Sequence, residues 1–469
     1  MEPGDAFAKV YDRLAASRPV SGELQQWSKD SAMTAARDGA LSELRSTGEL
    51  DLATISSATE VQLLGILKAL DHTLQRGTPA FAATDPLAMR LRGQFQRTGR
   101  FNSTTDGAVL PRYVEAGRPR ATAEALDEVF RNVRVSEDSW RRCTQVNLYA
   151  PGNERYDVTV PVGGIVPVGQ IPFAAPGDIK LAHDTTEAGI NVYICTPDAG
   201  LVGRVAKAMA AFRAAGSQIA LVPEATLTDE TLAAWRAACA PGGPEWVLVG
   251  TGDVTGPHPG ASAPAVGLTT AGGITLGPNR AVLLDGRTGD IIAVQDKRYG
   301  FSILPDYRAA YGLGSAAEPT LDEGMIQGKK LTVIESRAGR VAILVCEDLD
   351  HMTQDGAMLR EFGVSLVLVP IIAPPIIAYR WQHQASMSLA KDIGSTVITF
   401  NSLALGRDEE REDPKSKKRY KVPASTLLRV APVANEYKTV ADPISNPKRG
   451  KQGPVTDALA VRETHLQTP

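Results

Sequence analysis

The chain has 469 residues, 43% of them hydrophobic and 22% charged, with a formal net charge of −3. That is ordinary globular composition, long enough for two or three domains that each bury a core, and it carries no general nucleic-acid footprint. No run of about eighteen or more apolar residues predicts a membrane span. Met1 is followed by Glu2 and Asp5 rather than by a basic and then apolar run, so no secretory signal is expected. Cys143, Cys195, Cys239 and Cys346 form no Cys-x-x-Cys pair, and no His-Glu-x-x-His occurs. That scatter argues against a metal site, a cofactor held by one, or a disulfide framework, and for a reducing, cytoplasmic setting.

Residues 1–150 read as a mainly helical region. Asp5 to Ala16, Ser21 to Ser46, Ser57 to Arg76 and Thr122 to Val133 carry helical spacing, with Gly39 weakening the second. Ser57 and Glu60 suggest a capping box, and Leu63, Leu64, Leu67 and Leu70 give an apolar stripe behind it. The expectation is a helical accessory domain with its own core; a sharper reading has it control pocket access or assembly. Between Arg90 and Arg120 arginines are frequent, with Phe95 and Phe101 among them. Such a pattern also fits a basic-aromatic patch for nucleic acid or acidic partners.

Further along, strands and helices alternate. Leu201 to Ala215 has the Ala-rich content of a helix, and Gly216 suits its stop. The apolar run Gln218 to Val222 then reads as a strand closed by Pro223, with Glu224 at its end. Taken alone, Glu224 fits a solvated terminal acid as well as a catalytic one. Gly252 to Gly277 is rich in Gly, Pro, Ala and Thr and reads as a loop insertion at the edge of a site or an assembly contact. It holds no phosphate loop, because no Gly-Lys-Ser/Thr follows the glycines. Asn279 to Lys297 reads as a hairpin turning between Asp285 and Gly289, with Lys297 just past its second strand.

Val341 to Cys346 is a continuous apolar run followed at once by Glu347 and Asp348. The change from apolar to acidic places the Cys346 thiol where a buried strand leaves the core, and there it can face a pocket while the sheet holds its backbone. The same cysteine also fits inert core filler. His351 and His383 raise a Cys–His protease scheme, but no matching protease signature accompanies them. Arg407 to Asp413 is mostly acidic and Lys415 to Lys421 mostly basic, which reads as a solvated loop that pairs with itself. Residues 407–469 as a whole read as an irregular extension.

Taken together, Glu224 after strand and proline, Lys297 after a hairpin, and Cys346 after a further strand resemble the carbon–nitrogen hydrolase (nitrilase and aliphatic amidase) superfamily. Gly169-Gln-Ile-Pro172, Pro278-Asn279-Arg-Ala-Val, Leu366 to Pro370 with Ala373-Pro374-Pro375, and Val397 to Asn401 resemble its other landmarks. The similarity covers roughly residues 160 to 405. The separation from Lys297 to Cys346 is longer than the family's, which implies an insertion after Lys297. The chain also departs from the family in the helix before Val397, where Leu389-Ala390 and Asp392 replace the usual Arg-Ala and Glu.

The resemblance implies an α/β fold, a four-layer α-β-β-α sandwich over residues 155–406 with the helical region added, and pairing into a homodimer or larger oligomer whose tails wrap neighbours. It implies Glu224 as base, Lys297 and the backbone N–H of Glu347 as oxyanion donors, and Cys346 as nucleophile. Glu318 is the acid taken to support Lys297, with Glu323 and Asp306 as alternatives. Tyr299, His351, Pro374 and Trp381 are taken as pocket walls. Such a triad suits a small-molecule amide or nitrile, amide being commoner in the superfamily. A covalent thioester splits the hard hydrolysis into two easier steps, Glu224 shuttles the proton, and Lys297 eases thiolate formation and holds the oxyanion. No cofactor is implied. The other function class is a hydrolase-like module kept for binding, assembly or regulation with little turnover.

Overall fold

The computed structural model describes residues 1–75, 85–103, 108–111, 126, 129–130, 132–136, 145–149, 157–160, 164–254, 268–314, 319–354, 356–374, 376, 380–406, 408–412, 419–423, 426–432, 439–441 and 461–467. Among the described residues, six helices lie in the N-terminal part: α1 (Pro3–Ala15), α2 (Ser21–Trp27), α3 (Ser31–Thr47), α4 (Leu52–Ser57), α5 (Glu60–Gln75) and α6 (Pro86–Thr98). They share a core that includes Phe7, Val10 and Leu14 of α1, Leu44 of α3, Leu63, Leu67 and Leu70 of α5, and Leu91 of α6.

Three local expectations change here. The span Ser21 to Ser46 is two helices, because the Asp30 carboxylate accepts from the Ala32 N–H at 2.7 Å and caps a new start. Gly39 is kept inside α3. The capping box lies two residues later than expected: the Thr59 N–H donates to Gln62 Oε1 at 2.8 Å, and the Gln62 N–H donates to Thr59 Oγ1 at 3.4 Å. The arginine-rich stretch begins inside α6, which is capped by Asp85 with Pro86 in its first turn. Phe95 and Phe101 are buried with ring centroids 5.1 Å apart, so neither ring is open to stack on a partner. Most of the helix expected at Thr122 to Val133 lies outside the described residues, and Val133 itself opens a strand.

Three strands follow: β1 (Ala108–Pro111), β2 (Val133–Ser136) and β3 (Gln145–Tyr149). Next come β4 (Ile165–Gln170), β5 (Ile179–Thr185), β6 (Asn191–Pro197), α7 (Val205–Ala214), β7 (Ile219–Val222), α8 (Asp229–Ala238) and β8 (Trp246–Gly252). β9 (Leu268–Thr269) and β10 (Thr275–Leu276) pair with each other at the edge of the expected loop insertion, whose middle, residues 255–267, lies outside the described set. The chain continues with β11 (Arg280–Asp285), β12 (Ile291–Asp296), β13 (Ser302–Ile303), β14 (Leu321–Glu323), β15 (Lys330–Ser336), β16 (Gly339–Ile343), α9 (Asp348–Gln354), α10 (Gly356–Glu361), β17 (Leu366–Ile371), α11 (Trp381–Ile393) and β18 (Thr396–Asn401). Last are β19 (Asp408–Glu412), β20 (Arg419–Pro423), β21 (Leu427–Pro432), β22 (Thr439–Ala441) and β23 (Arg462–Gln467).

The fold is mixed α/β. One sheet runs β12-β11-β8-β7-β4-β23, a second β22-β21-β18-β17-β16-β15-β3, and a smaller one β13-β14-β6-β5. Strand periodicity decides what each face of the first sheet meets. Ile219, Leu221, Trp246, Leu248, Ala281 and Leu283 join the core that also holds Val333, Val341 and Val367 of the second sheet. The alternating residues Ala220, Val222, Val247, Val249, Val282 and Leu284 pack with Met209 and Phe212 of α7 and Trp235 of α8. The second sheet in turn buries Leu349, Leu359 and Leu389 of α9, α10 and α11.

The C-terminal stretch is not wholly irregular. The acidic and basic runs form the hairpin β19–β20, with Glu410 opposite Lys421 and Glu412 opposite Arg419. β23 returns to the chain's own first sheet, pairing antiparallel with β4 from Arg462↔Gln170 to Gln467↔Ile165. Among the described residues, no helix is long and apolar enough to cross a membrane. Removing residues from Val461 onward strips β4 of its edge partner and uncovers the surface buried by Leu466. An unpaired, apolar sheet edge invites other chains. The truncated protein should therefore melt earlier and elute as larger species in size-exclusion chromatography; an unchanged profile would argue that β23 contributes little.

Candidate active site

Each expected residue sits where an element ends. Beyond β16 the ladder continues through Leu344 N–H to Leu368 O and Cys346 N–H to Pro370 O, both at 3.0 Å. Cys346 itself adopts φ +49°, a left-handed conformation that costs a non-glycine residue roughly 1–3 kcal/mol and persists only where surroundings impose it. Glu224 follows β7 and Pro223, and its neighbour Ala225 is also left-handed at φ +59°. The hairpin β11–β12 has Arg280 opposite Asp296, joined by a buried ion pair at 2.6 Å. One step outward, the Lys297 N–H donates to Asn279 O at 2.8 Å, so the open end of the hairpin places these two side by side.

The structure brings Glu224, Lys297 and Cys346 together out of reach of water, at 0%, 1% and 4% exposure. Lys297 Nζ donates to Glu224 Oε1 at 2.9 Å and to Glu323 Oε2 at 2.6 Å. Asn279 Nδ2 also donates to both acids, at 2.9 Å each. The other Glu224 oxygen accepts from the Ile372 N–H at 2.8 Å, and the Cys346 thiol lies near enough to feel the Glu224 charge. The acid on Lys297 is thus Glu323, at the end of β14, which the sequence offered only as an alternative. Glu318, the first choice, lies outside the described residues, and Asp306 is exposed. Asn279 and Ile372 had no assigned role; the place of Asn279 beside Lys297 depends on a register shift between Leu283 and Leu284 that counting back from the turn does not reveal.

Burial dominates the electrostatics. It pushes Glu224 above the ordinary carboxylate range; Lys297 opposes this and Glu323 adds to it. Burial alone would lower Lys297, but Glu224 and Glu323 outweigh it and hold the ammonium charged. Burial and then the charge of Glu224 hold Cys346 well above an ordinary thiol, with Lys297 only partly offsetting them. These causes favour the neutral thiol over a preformed thiolate–lysine pair. The expected easing by Lys297 is present but outweighed. Burial also raises Tyr193 and Cys195 of β6, both of which feel the charge of Glu323, and pushes Tyr311 up to about 12, with Cys346 the next cause.

The remaining candidates sit at varied distances from this centre. Tyr299 stacks on His351, with centroids 4.0 Å apart and planes at 13°. The Glu347 side chain lies 3.9 Å from His351 Nε2, turned toward that stack. Pro374 accepts from Asn401 Nδ2 at 3.3 Å in the loop that also presents the Ile372 N–H. Trp381 begins α11 and packs against the main core. Among the described residues, no group of three His, Cys, Asp or Glu side chains is placed to hold a metal ion.

Comparison with known proteins gives distant matches of structure alone. No family model and no curated protein matches the chain. Among solved structures, an amidase from Nesterenkonia sp. matches at 16% identity and a TM-score of 0.33, over 62% of this chain and 95% of that one. The amidase from Nesterenkonia sp. AN1, with the acetamide moiety of fluoroacetamide added covalently at its active-site cysteine, matches at 15% and 0.33, over 61% and 93%. A glutamine-dependent NAD+ synthetase from Acinetobacter baumannii matches at 14% and 0.33, over 60% of this chain; the chain spans only 43% of that protein. Amidases are among the enzymes named by the sequence resemblance. At these values the likeness carries no function over to this chain.

Asp348 ties the site together. Its Oδ1 accepts from the N–H groups of Arg298 and Tyr299, both at 2.9 Å, and its Oδ2 from Val345 N–H at 3.0 Å, so one buried side chain joins the segment after Lys297 to the turn at Cys346. Burial pushes its carboxyl up from 3.8 to about 6 despite these three donors. The folded state therefore holds this proton more tightly than the unfolded chain. The resulting stabilisation is complete below about pH 4 and is lost as the pH rises through about 6. An Asp348→Asn variant does not titrate there. The stability of wild type relative to Asp348→Asn should fall by about 3 kcal/mol between roughly pH 4 and 7, as read from urea melts. A pH-independent difference would contradict this account.

Proposed function

We propose that this chain is a carbon–nitrogen hydrolase that cleaves a small non-peptide amide through a thioester on Cys346. The observation that carries the reading is the convergence, away from water, of the Lys297 ammonium and the Cys346 thiol on the Glu224 carboxylate. A surface lysine or core-filling cysteine has no need of such a costly arrangement, because buried charges persist only when paired and hydrogen-bonded.

In this reading Cys346 Sγ attacks the amide carbon as Glu224 takes the thiol proton. The oxyanion that forms is held by Lys297 Nζ and the N–H of Glu347. Glu224 returns the proton to the nitrogen, the carbon–nitrogen bond breaks, and the amine leaves with a thioester behind it. Water, deprotonated by Glu224, then attacks the thioester; the acid departs and the thiol regains its proton. A carboxylate held above its usual range suits this task, since its proton affinity lies nearer the operating pH. Glu323 keeps Lys297 charged and in place. On the same reading the two large sheets, with α7 and α8 outside one and α9 to α11 outside the other, form the four-layer sandwich, and α1 to α6 form an accessory domain; β3, inside the expected span 1–150, belongs instead to the second sheet.

Intact mass after brief iodoacetamide treatment tests the nucleophile. One adduct should form quickly in wild type, vanish in Cys346→Ala and slow in Glu224→Gln. Labelling of Cys346 no faster than that of Cys239 would sink the reading and favour the binding-module class. On a panel of small primary amides, Lys297→Ala should lower turnover of any substrate found by about a hundred- to a thousand-fold, the worth of one oxyanion donor. The labelling rate should also fall on acidification while the pH is still above the ordinary carboxylate value of 4.5, as Glu224 takes up its proton.

A further inference from the structure

Glu224 and Glu323 are two carboxylates in one buried site with a single lysine between them. Lys297 Nζ has three hydrogens; one goes to Glu224 Oε1 and one to Glu323 Oε2. The second bridge between the acids is the Asn279 amide, whose two N–H bonds go one to Glu224 Oε1 and one to Glu323 Oε1. The orientation of this amide is forced, because Oδ1 turned toward the acids would add a third acceptor to a cluster of acceptors. Asn279 Oδ1 is instead left buried without a hydrogen-bond partner. A side chain kept only to fill space would not carry that orphaned acceptor.

We propose that Asn279 is a positioning residue for the reaction: a neutral, two-armed donor that holds Glu224 beside Glu323, ready to take the Cys346 proton, and leaves one Lys297 hydrogen free for the oxyanion. This rests on the hydrolase reading above. A second lysine could bridge the acids too, but its charge would weaken Glu224 as a base. Asparagine supplies the donors without the charge. Its backbone is fixed independently by the Lys297 N–H and by the Arg280–Asp296 pair one step along the hairpin, so replacing the side chain leaves the strand pairing in place.

The test is the rate of Cys346 alkylation by iodoacetamide, followed by intact mass over roughly pH 4 to 9, in wild type, Asn279→Ala and the isosteric Asn279→Asp. Loss of one hydrogen bond to a charged group should move the acid limb of Asn279→Ala up by about one pH unit, with the plateau rate changed far less. Asn279→Asp adds a third carboxylate and should move the limb further. An acid limb in either folded variant that coincides with wild type, with or without a uniform loss of rate, overturns the proposal. Melting temperatures identify which variants are folded, and if Asn279→Ala is not, the shape-preserving Asn279→Asp decides. If wild type itself gives no Cys346-dependent adduct, the hydrolase reading fails instead, an outcome distinct from an unmoved limb.

Discussion

The candidate site depends on one arrangement: a lysine ammonium held out of water between two carboxylates. Burying any one of these charges alone would be prohibitive, and even a simple pair often fails to recover the cost of leaving water. Here Lys297 and Asn279 each donate to both acids, and Ile372 and Phe301 add backbone N–H groups to Glu224 and Glu323 respectively. The cluster is stable only as a set. That explains why its members come from elements whose positions are themselves tightly fixed.

Three sheets contribute. The first supplies Glu224 beyond β7, and Asn279 and Lys297 at the open end of one hairpin. The second supplies Cys346 beyond β16 and the Ile372 N–H beyond β17. The small sheet supplies Glu323, where β14 runs parallel to β6 with Glu323 opposite Tyr193. Asp348 joins two of these contributions by accepting N–H bonds from both sides. The stretch between Lys297 and Cys346 holds β13 and β14, the strands that bring in the second acid.

How much was legible in the sequence follows from the range of each interaction. Glu224, Lys297 and Cys346 could be read because each closes a local apolar pattern. The hairpin follows from its Asp-Gly turn, but the cross-strand place of Asn279 does not, because a register shift between Leu283 and Leu284 intervenes. Glu323 could not be chosen over Glu318, because the choice depends on β14 pairing with β6, a contact across more than a hundred residues that leaves no local mark. The same holds for β23, whose partner β4 precedes it by the stretch that holds the candidate site. The division between α2 and α3 and the start of α6 were written locally, in Asp30 and in Asp85-Pro86. They were obscured by helical composition in one case and by arginine content in the other. Burial of Phe95 and Phe101 shows the converse limit: composition alone does not say which face of a helix an aromatic occupies.

The small sheet has a consequence for redesign. Side chains alternate across a strand, and Tyr193 and Cys195 of β6 both lie within the electrostatic reach of Glu323. The residue between them, Ile194, projects to the opposite side. A protein engineer seeking to reshape the surroundings of Glu323 would therefore vary Tyr193 and Cys195 together and leave Ile194 alone. The backbone pairing that carries Glu323 would stay intact while the surface beside it was recut.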